Sequence, residues 1–292
     1  MSMLILSPNA HHDDDHDHDD HGGLHRDLLA TGRTIDRRMM LRMAASLGAG
    51  FGALQLLGCG DSSTLTGTDT TGTEGTSPVN NNGTCSRVPE ETAGPYPGDG
   101  SNGANVLNQT GVVRSDLRSS FAGLSGTAVG IPLTVNLTIV SASSCSPLAN
   151  RAVYLWHCDR AGNYSLYSSG VTNQNYLRGV QAADANGRLS FTTIFPGCYS
   201  GRWPHIHFEV FQSLTAATDV RNKVATSQIA LPKASCDLAY ATSGYESSVR
   251  NLAGITLASD NVFSDGASLQ LATMTGNVTD GFTATLTVAI AI

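Results

Sequence analysis

Thr193-Ile194-Phe195-Pro196-Gly197-Cys198-Tyr199-Ser200-Gly201-Arg202-Trp203-Pro204-His205-Ile206-His207-Phe208 is the stretch on which the chain turns. His205 and His207 are two apart inside an apolar, β-favouring run. Strand side chains alternate faces, so both imidazoles project from the same face. Two histidines on one face of a rigid element can bind one metal. A half-buried strand with two hydrogen-bonded histidines has the same pattern, so the pair alone does not decide. Tyr199 lies six residues before His205, across a turn marked by Pro196, Gly197 and Gly201, and Arg202 lies three before it. A phenol, a cation and two imidazoles therefore converge from one short segment.

Strand signals recur on both sides of this stretch. Apolar or alternating runs occupy 124–129, 133–142, 152–157, 176–180, 188–194, 203–211, 224–231, 268–273 and 282–292. Asp184-Ala185-Asn186-Gly187 is a hairpin-type turn between two of them. Residues 113–121 have room for one short helical turn, and 234–252 for a short helix or two. Many short strands separated by turn residues predict an all-β fold, an antiparallel β-sandwich with long loops and one or two short helices, over residues 85–292. No internal repeat, phosphate loop or nucleotide fingerprint interrupts the series.

The chain has 292 residues, of which 14% are charged, with 31 glycines and a formal net charge of -7. That composition suits a turn-rich exported β domain, and it offers no basic surface for nucleic acid or anionic membrane. The N-terminus reads as a targeting segment. Arg37 and Arg38, followed by Met39, Met40 and Leu41, resemble a twin-arginine motif. The moderately apolar run 43–57 is short for a membrane span. It ends in Leu56-Leu57-Gly58-Cys59, which resembles a lipobox with Cys59 as the lipidated residue. Residues 1–59 are accordingly expected to be a lipoprotein signal segment. Residues 60–84, almost free of apolar side chains, are expected to be a flexible tether. The mature protein would be exported and anchored to a membrane through lipid on Cys59. The His/Asp-rich tract 11–21 lies upstream of the arginine pair and has no role in the mature chain. Of nine histidines, six (His11, His12, His16, His18, His21 and His25) lie in the N-terminal segment, leaving His157, His205 and His207. Export permits disulfides among Cys85, Cys145, Cys158, Cys198 and Cys236. Five is odd, so at most two bridges form, with connectivity open.

A second tyrosine-bearing segment, Trp156-His157-Cys158-Asp159 through Gly162 and Tyr164, lies upstream of Tyr199. Taken together with Glu91-Thr92-Ala93-Gly94-Pro95-Tyr96, Val113-Arg114-Ser115-Asp116, Tyr176-Leu177-Arg178-Gly179, Phe191-Thr192-Thr193-Ile194, Pro196-Gly197, and Arg202 through Phe208, it resembles the intradiol ring-cleavage dioxygenases, the family of protocatechuate 3,4-dioxygenase and catechol 1,2-dioxygenase. The resemblance covers about 85–212 well and the rest loosely. It implies four ligands to a non-haem Fe(III): Tyr164, Tyr199, His205 and His207. Tyr167 competes with Tyr164, and the Gly-x-Tyr match favours Tyr164. Two phenolates are hard anionic donors that suit ferric iron, whereas zinc sites favour thiolates or three histidines. His157, on another strand, is expected to pack or to support the site.

The resemblance further implies cleavage of a catechol by O2 to a cis,cis-muconate-type diacid, both oxygen atoms entering the product. Tyr199 would leave the metal and help accept a proton, and Arg202 would stabilise negative charge on the ring. The stretch from Tyr199 to His205 is shorter than in the best-known members, which leaves substrate identity open and admits hydroxyquinol or lignin-derived catechols. Assembly into a homo-oligomer is left open too. The competing reading is a tethered β-sandwich binding or adhesion lipoprotein without catalysis.

Overall fold

The computed structural model describes residues 85–292. The export segment, Cys59, the His/Asp-rich tract and the tether lie outside the described residues. Eight strands and two short helices run in the order β1 (Pro132–Ser141), β2 (Ala152–Trp156), β3 (Arg178–Ala182), β4 (Arg188–Ile194), β5 (His205–Phe211), β6 (Lys223–Ala230), α1 (Lys233–Tyr240), α2 (Glu246–Ala253), β7 (Thr273–Asn277) and β8 (Gly281–Ile290). They form two four-stranded sheets, ordered β4-β1-β8-β7 and β3-β2-β5-β6. Among the described residues no helix is long and apolar enough to cross a membrane.

The sandwich follows from alternation. Along β1, Leu133, Val135, Leu137 and Ile139 are buried between partly exposed neighbours, and β8 repeats the pattern with Phe282, Ala284, Leu286 and Val288. These side chains meet Val153 and Leu155 of β2 and Ile206, Phe208 and Val210 of β5 in one core between the sheets. Each fully buried aliphatic or aromatic side chain contributes about 1.5–3 kcal/mol to that packing. The second sheet is covered on its other face as well. Tyr154, Trp156, Val180 and Phe211 pack there against Tyr96, Val106, Leu107 and Tyr164 from long loops. Every residue of β5 is therefore buried, with His205 and His207 on the loop-covered face opposite Ile206 and Phe208.

Several expectations are corrected. Every strand pair is antiparallel except β1 and β8, which run parallel over Leu133–Ser141 and Phe282–Ile290. Residues 113–121 are extended, not helical, because Arg114 N–H donates to Val180 O and Leu117 N–H to Thr192 O, which ties the segment across both sheets. No strand forms over 124–129, where Leu124 and Val129 are exposed and only a bridge between Ser119 and Thr127 remains. The late strand lies at Thr273–Asn277, just after the expected 268–273. Within the expected limit of two, the cysteines among the described residues form one bridge, Cys85–Cys145, which ties the start of the domain to the turn after β1, while Cys158, Cys198 and Cys236 are free and buried.

Candidate metal centre

His205 and His207 meet at their Nε2 atoms, 3.0 Å apart. The hydroxyls of Tyr164 and Tyr199 each lie 3.3 Å from His205 Nε2. Four donor atoms thus cluster around one point. Donors bonded to a common metal at about 2.0–2.2 Å with angles near 90–110° sit about 3.0–3.4 Å apart. The spacing fits a shared ion. Among the described residues no group of three or more His, Cys, Asp or Glu could hold a metal, so it is the two phenols that complete the donor set.

Each donor is aimed by its surroundings. His205 Nδ1 sits 2.5 Å from the carbonyl of Trp203, which places the proton on Nδ1 and leaves the Nε2 lone pair facing the phenols. His207 lies flat against Trp156, its partner across β2 and β5. Burial and the charge of Arg202 push His205 down to about 3, and burial, His205 and Arg202 hold His207 well below the usual histidine range. Both rings are therefore neutral at ordinary pH, as a metal ligand would need to be.

The tyrosines come from two loops fastened together. After β2 the chain turns at Asp159, whose Oδ1 accepts from Ala161 N and Asn163 N. Gly162 has φ 91°, and a Cβ there would come 3.1 Å from Tyr199 Cβ. Gly197 N–H donates to Asp159 O, and a Cβ on Gly197 would strike Arg160 O at 2.6 Å. The two glycines let the loops approach until the rings of Tyr164 and Tyr199 meet edge to face at 5.8 Å. Tyr164 is buried and stacks on Tyr96 at 4.8 Å, whereas Tyr199 is half-buried. Tyr167 is excluded from the cluster. Its hydroxyl donates to Asn102 and accepts from Gly98 N.

Arg202 is fully buried. Its Nε donates to Asp260 Oδ2 at 2.9 Å, and its Nη2 donates to Gln228 Oε1 at 2.7 Å. Gln228 pairs with His207 across β5 and β6, which brings the guanidinium to the histidine end of the cluster. His157 is outside the donor set. Its Nδ1 bonds Cys158 O and its Nε2 bonds Thr193 Oγ1, each at 2.7 Å. Sequence reasoning missed three supports, Trp156, Gln228 and Asp260, and also the role of Arg178. That buried guanidinium donates to the carbonyls of Tyr96, Pro97 and Ser165 and to Ser165 Oγ, and so locks the Tyr96 loop to the Tyr164 loop. The Tyr176-Leu177-Arg178-Gly179 motif marked it without revealing its partners.

Comparison with known proteins bears on the matched segment and the fold. Residues 114–222 match the dioxygenase family model. Over 54 residues the chain is 39% identical to catechol 1,2-dioxygenase 2 of Acinetobacter lwoffii, a match spanning 18% of this chain and 19% of that protein's length. An intradiol ring-cleavage dioxygenase from Tetranychus urticae superposes with a TM-score of 0.57 at 24% identity, covering 71% of this chain and 95% of the other. The sandwich therefore shares its fold with that dioxygenase, an all-β architecture that the motifs led one to expect.

Proposed function

We propose that this chain, a dioxygenase-type oxidoreductase by its matched segment and its fold, cleaves a catechol ring between its two hydroxyls with O2, on a non-haem ferric ion, to a cis,cis-muconate-type diacid. The observation that carries this reading is the clustering of two phenols and two neutral imidazoles at ligand spacing on the covered face of one sheet. Tyr164, Tyr199, His205 and His207 would hold the metal. Ferric iron in such a site supplies Lewis acidity to ionise the phenols and an electron acceptor that makes the bound ring reactive toward O2.

The protein's own groups do the rest. Tyr164, stacked and buried, keeps its place. Tyr199, the half-buried phenol of the pair, would take a catechol proton at its oxygen. Arg202, buried at the histidine end of the cluster, would stabilise negative charge that builds on the ring, and its burial makes such an interaction strong.

The same proposal places the domain outside the cytoplasm, tethered through lipid on Cys59. The Cys85–Cys145 bridge supports it, since such bridges persist in oxidising compartments. The test of the reaction is oxygen uptake by the iron-loaded protein with catechol and with hydroxyquinol. The expected result is equimolar consumption of O2 and ring, with a diacid product carrying both labelled atoms from isotopic O2. Catechol recovered intact would contradict it.

A further inference from the structure

Asp260 lies in the segment between α2 and β7, beyond the stretch that matches the dioxygenase family. It is 0% exposed, as is Arg202. Its Oδ2 accepts from Arg202 Nε at 2.9 Å and from the main-chain N–H of Trp203 at 2.7 Å. Its Oδ1 accepts from Val262 N at 2.8 Å and Phe263 N at 3.1 Å. The carboxylate cannot rotate without breaking several of these bonds. On the far edge of the guanidinium, Arg202 Nη2 is held by Gln228, whose amide nitrogen in turn donates to Thr92 O at 2.9 Å.

The second partner of Asp260 matters as much as the first. Trp203, whose N–H it fixes, is also the residue whose carbonyl receives the Nδ1 proton of His205. One carboxylate therefore restrains both the cation and the backbone that turns a histidine toward the phenols. A guanidinium buried without a counter-charge is costly, and an arginine free to change rotamer cannot act as a preorganised charge. Burial works against an ionised Asp260, but the charge of Arg202 and the bonds from Trp203 and Arg202 outweigh it and hold the carboxyl below its ordinary range.

We propose that Asp260 is the positioning residue of this site, aiming Arg202 at the histidine end of the cluster and, through Trp203, holding His205 in the orientation that turns its Nε2 toward the phenols. The catalytic consequence rests on the dioxygenase reading above; the clamp itself does not.

The test uses the full chain carrying Asp260→Asn, Asp260→Glu, Arg202→Gln, and Arg202→Gln combined with Asp260→Asn. In iron-loaded Asp260→Asn we expect the visible tyrosinate-to-Fe(III) absorption band of the wild type to persist, kcat to fall roughly 10- to 100-fold and KM to move by less than about 3-fold. Asp260→Glu should recover part of the loss. In the Arg202→Gln background, Asp260→Asn should cost at most about 2-fold more. Metal-free thermal melts supply a readout independent of turnover, in which the double variant should lose less than the sum of the single losses. Wild-type kcat in coloured Asp260→Asn, or the same fold-loss with and without Arg202, would overturn the proposal. So would failure of both Asp260 variants to fold, which would make the residue scaffold alone. A wild-type protein without iron or cleavage counts against the dioxygenase reading instead, and the melts would then decide the clamp, non-additive losses supporting it and additive losses refuting it.

Discussion

The indole of Trp156 lies parallel to the imidazole of His207, with ring centroids 4.9 Å apart and planes 6° apart. The contact follows from register, because the two residues are partners across β2 and β5 on the covered face of the sheet. Among the described residues His207 Nδ1 has no hydrogen-bond partner. The flat indole is thus what fixes that ring. Trp156→Leu should leave a cavity and a looser ligand. Iron affinity is expected to fall about 10-fold or more and stability by about 2–4 kcal/mol. Iron titration against the visible band, with urea unfolding alongside, measures both, and unchanged affinity would show that the stack does not hold the ligand.

The two candidate tyrosines before β3 separate cleanly. Tyr164 OH is 3.3 Å from His205 Nε2, while Tyr167 OH is bonded to Asn102 and Gly98. Tyr164→Phe should abolish or strongly weaken iron binding and bleach the colour. Tyr167→Phe should leave the spectrum intact and cost about 1 kcal/mol from the lost hydrogen bonds. The reverse pattern in the spectra would move the ligand to Tyr167.

Much of this site was legible because ligands on one strand share a face by period. The His205-Ile206-His207 alternation and the glycines around the turns stand in the sequence as local patterns, whereas Tyr164 and Tyr199 were singled out as a pair by the family resemblance. What was not legible is non-local. The parallel pairing of β1 with β8 joins the first and last strands, and nothing in either signals it. Residues 113–121 are held extended by bonds to β3 and β4, which override any local helical tendency. Leu124 and Val129 read as strand from their side chains, yet they face solvent, and no neighbouring strand pairs with them beyond one bridge. Asp260 carries no motif, and its meaning appears only when folding brings it against Arg202.

His157 makes a pH prediction with a definite sign. Burial lowers its pKa to about 4, against about 6.5 in an unfolded chain. Between those values the unfolded chain binds a proton that the folded one refuses. The contribution is therefore fully present above about pH 6.5 and is lost as pH falls toward 4, to the extent of about 3 kcal/mol. Glu91 and Glu209 are raised to about 7 by burial and pull the opposite way, so the comparison must be with a variant. His157→Gln should show a shallower loss of stability between pH 6.5 and 4 than the wild type, by urea unfolding at each pH. Parallel curves would mean that His157 does not titrate across folding.

The central claim, that two phenols and two imidazoles hold ferric iron for ring cleavage, is tested most directly by the visible absorption spectrum of the purified protein before and after catechol is added without oxygen. The account predicts a burgundy-red protein with stoichiometric iron and a tyrosinate-to-Fe(III) band that shifts as catechol enters and Tyr199 leaves. A colourless protein that takes up no iron, with a spectrum indifferent to catechol, would contradict it.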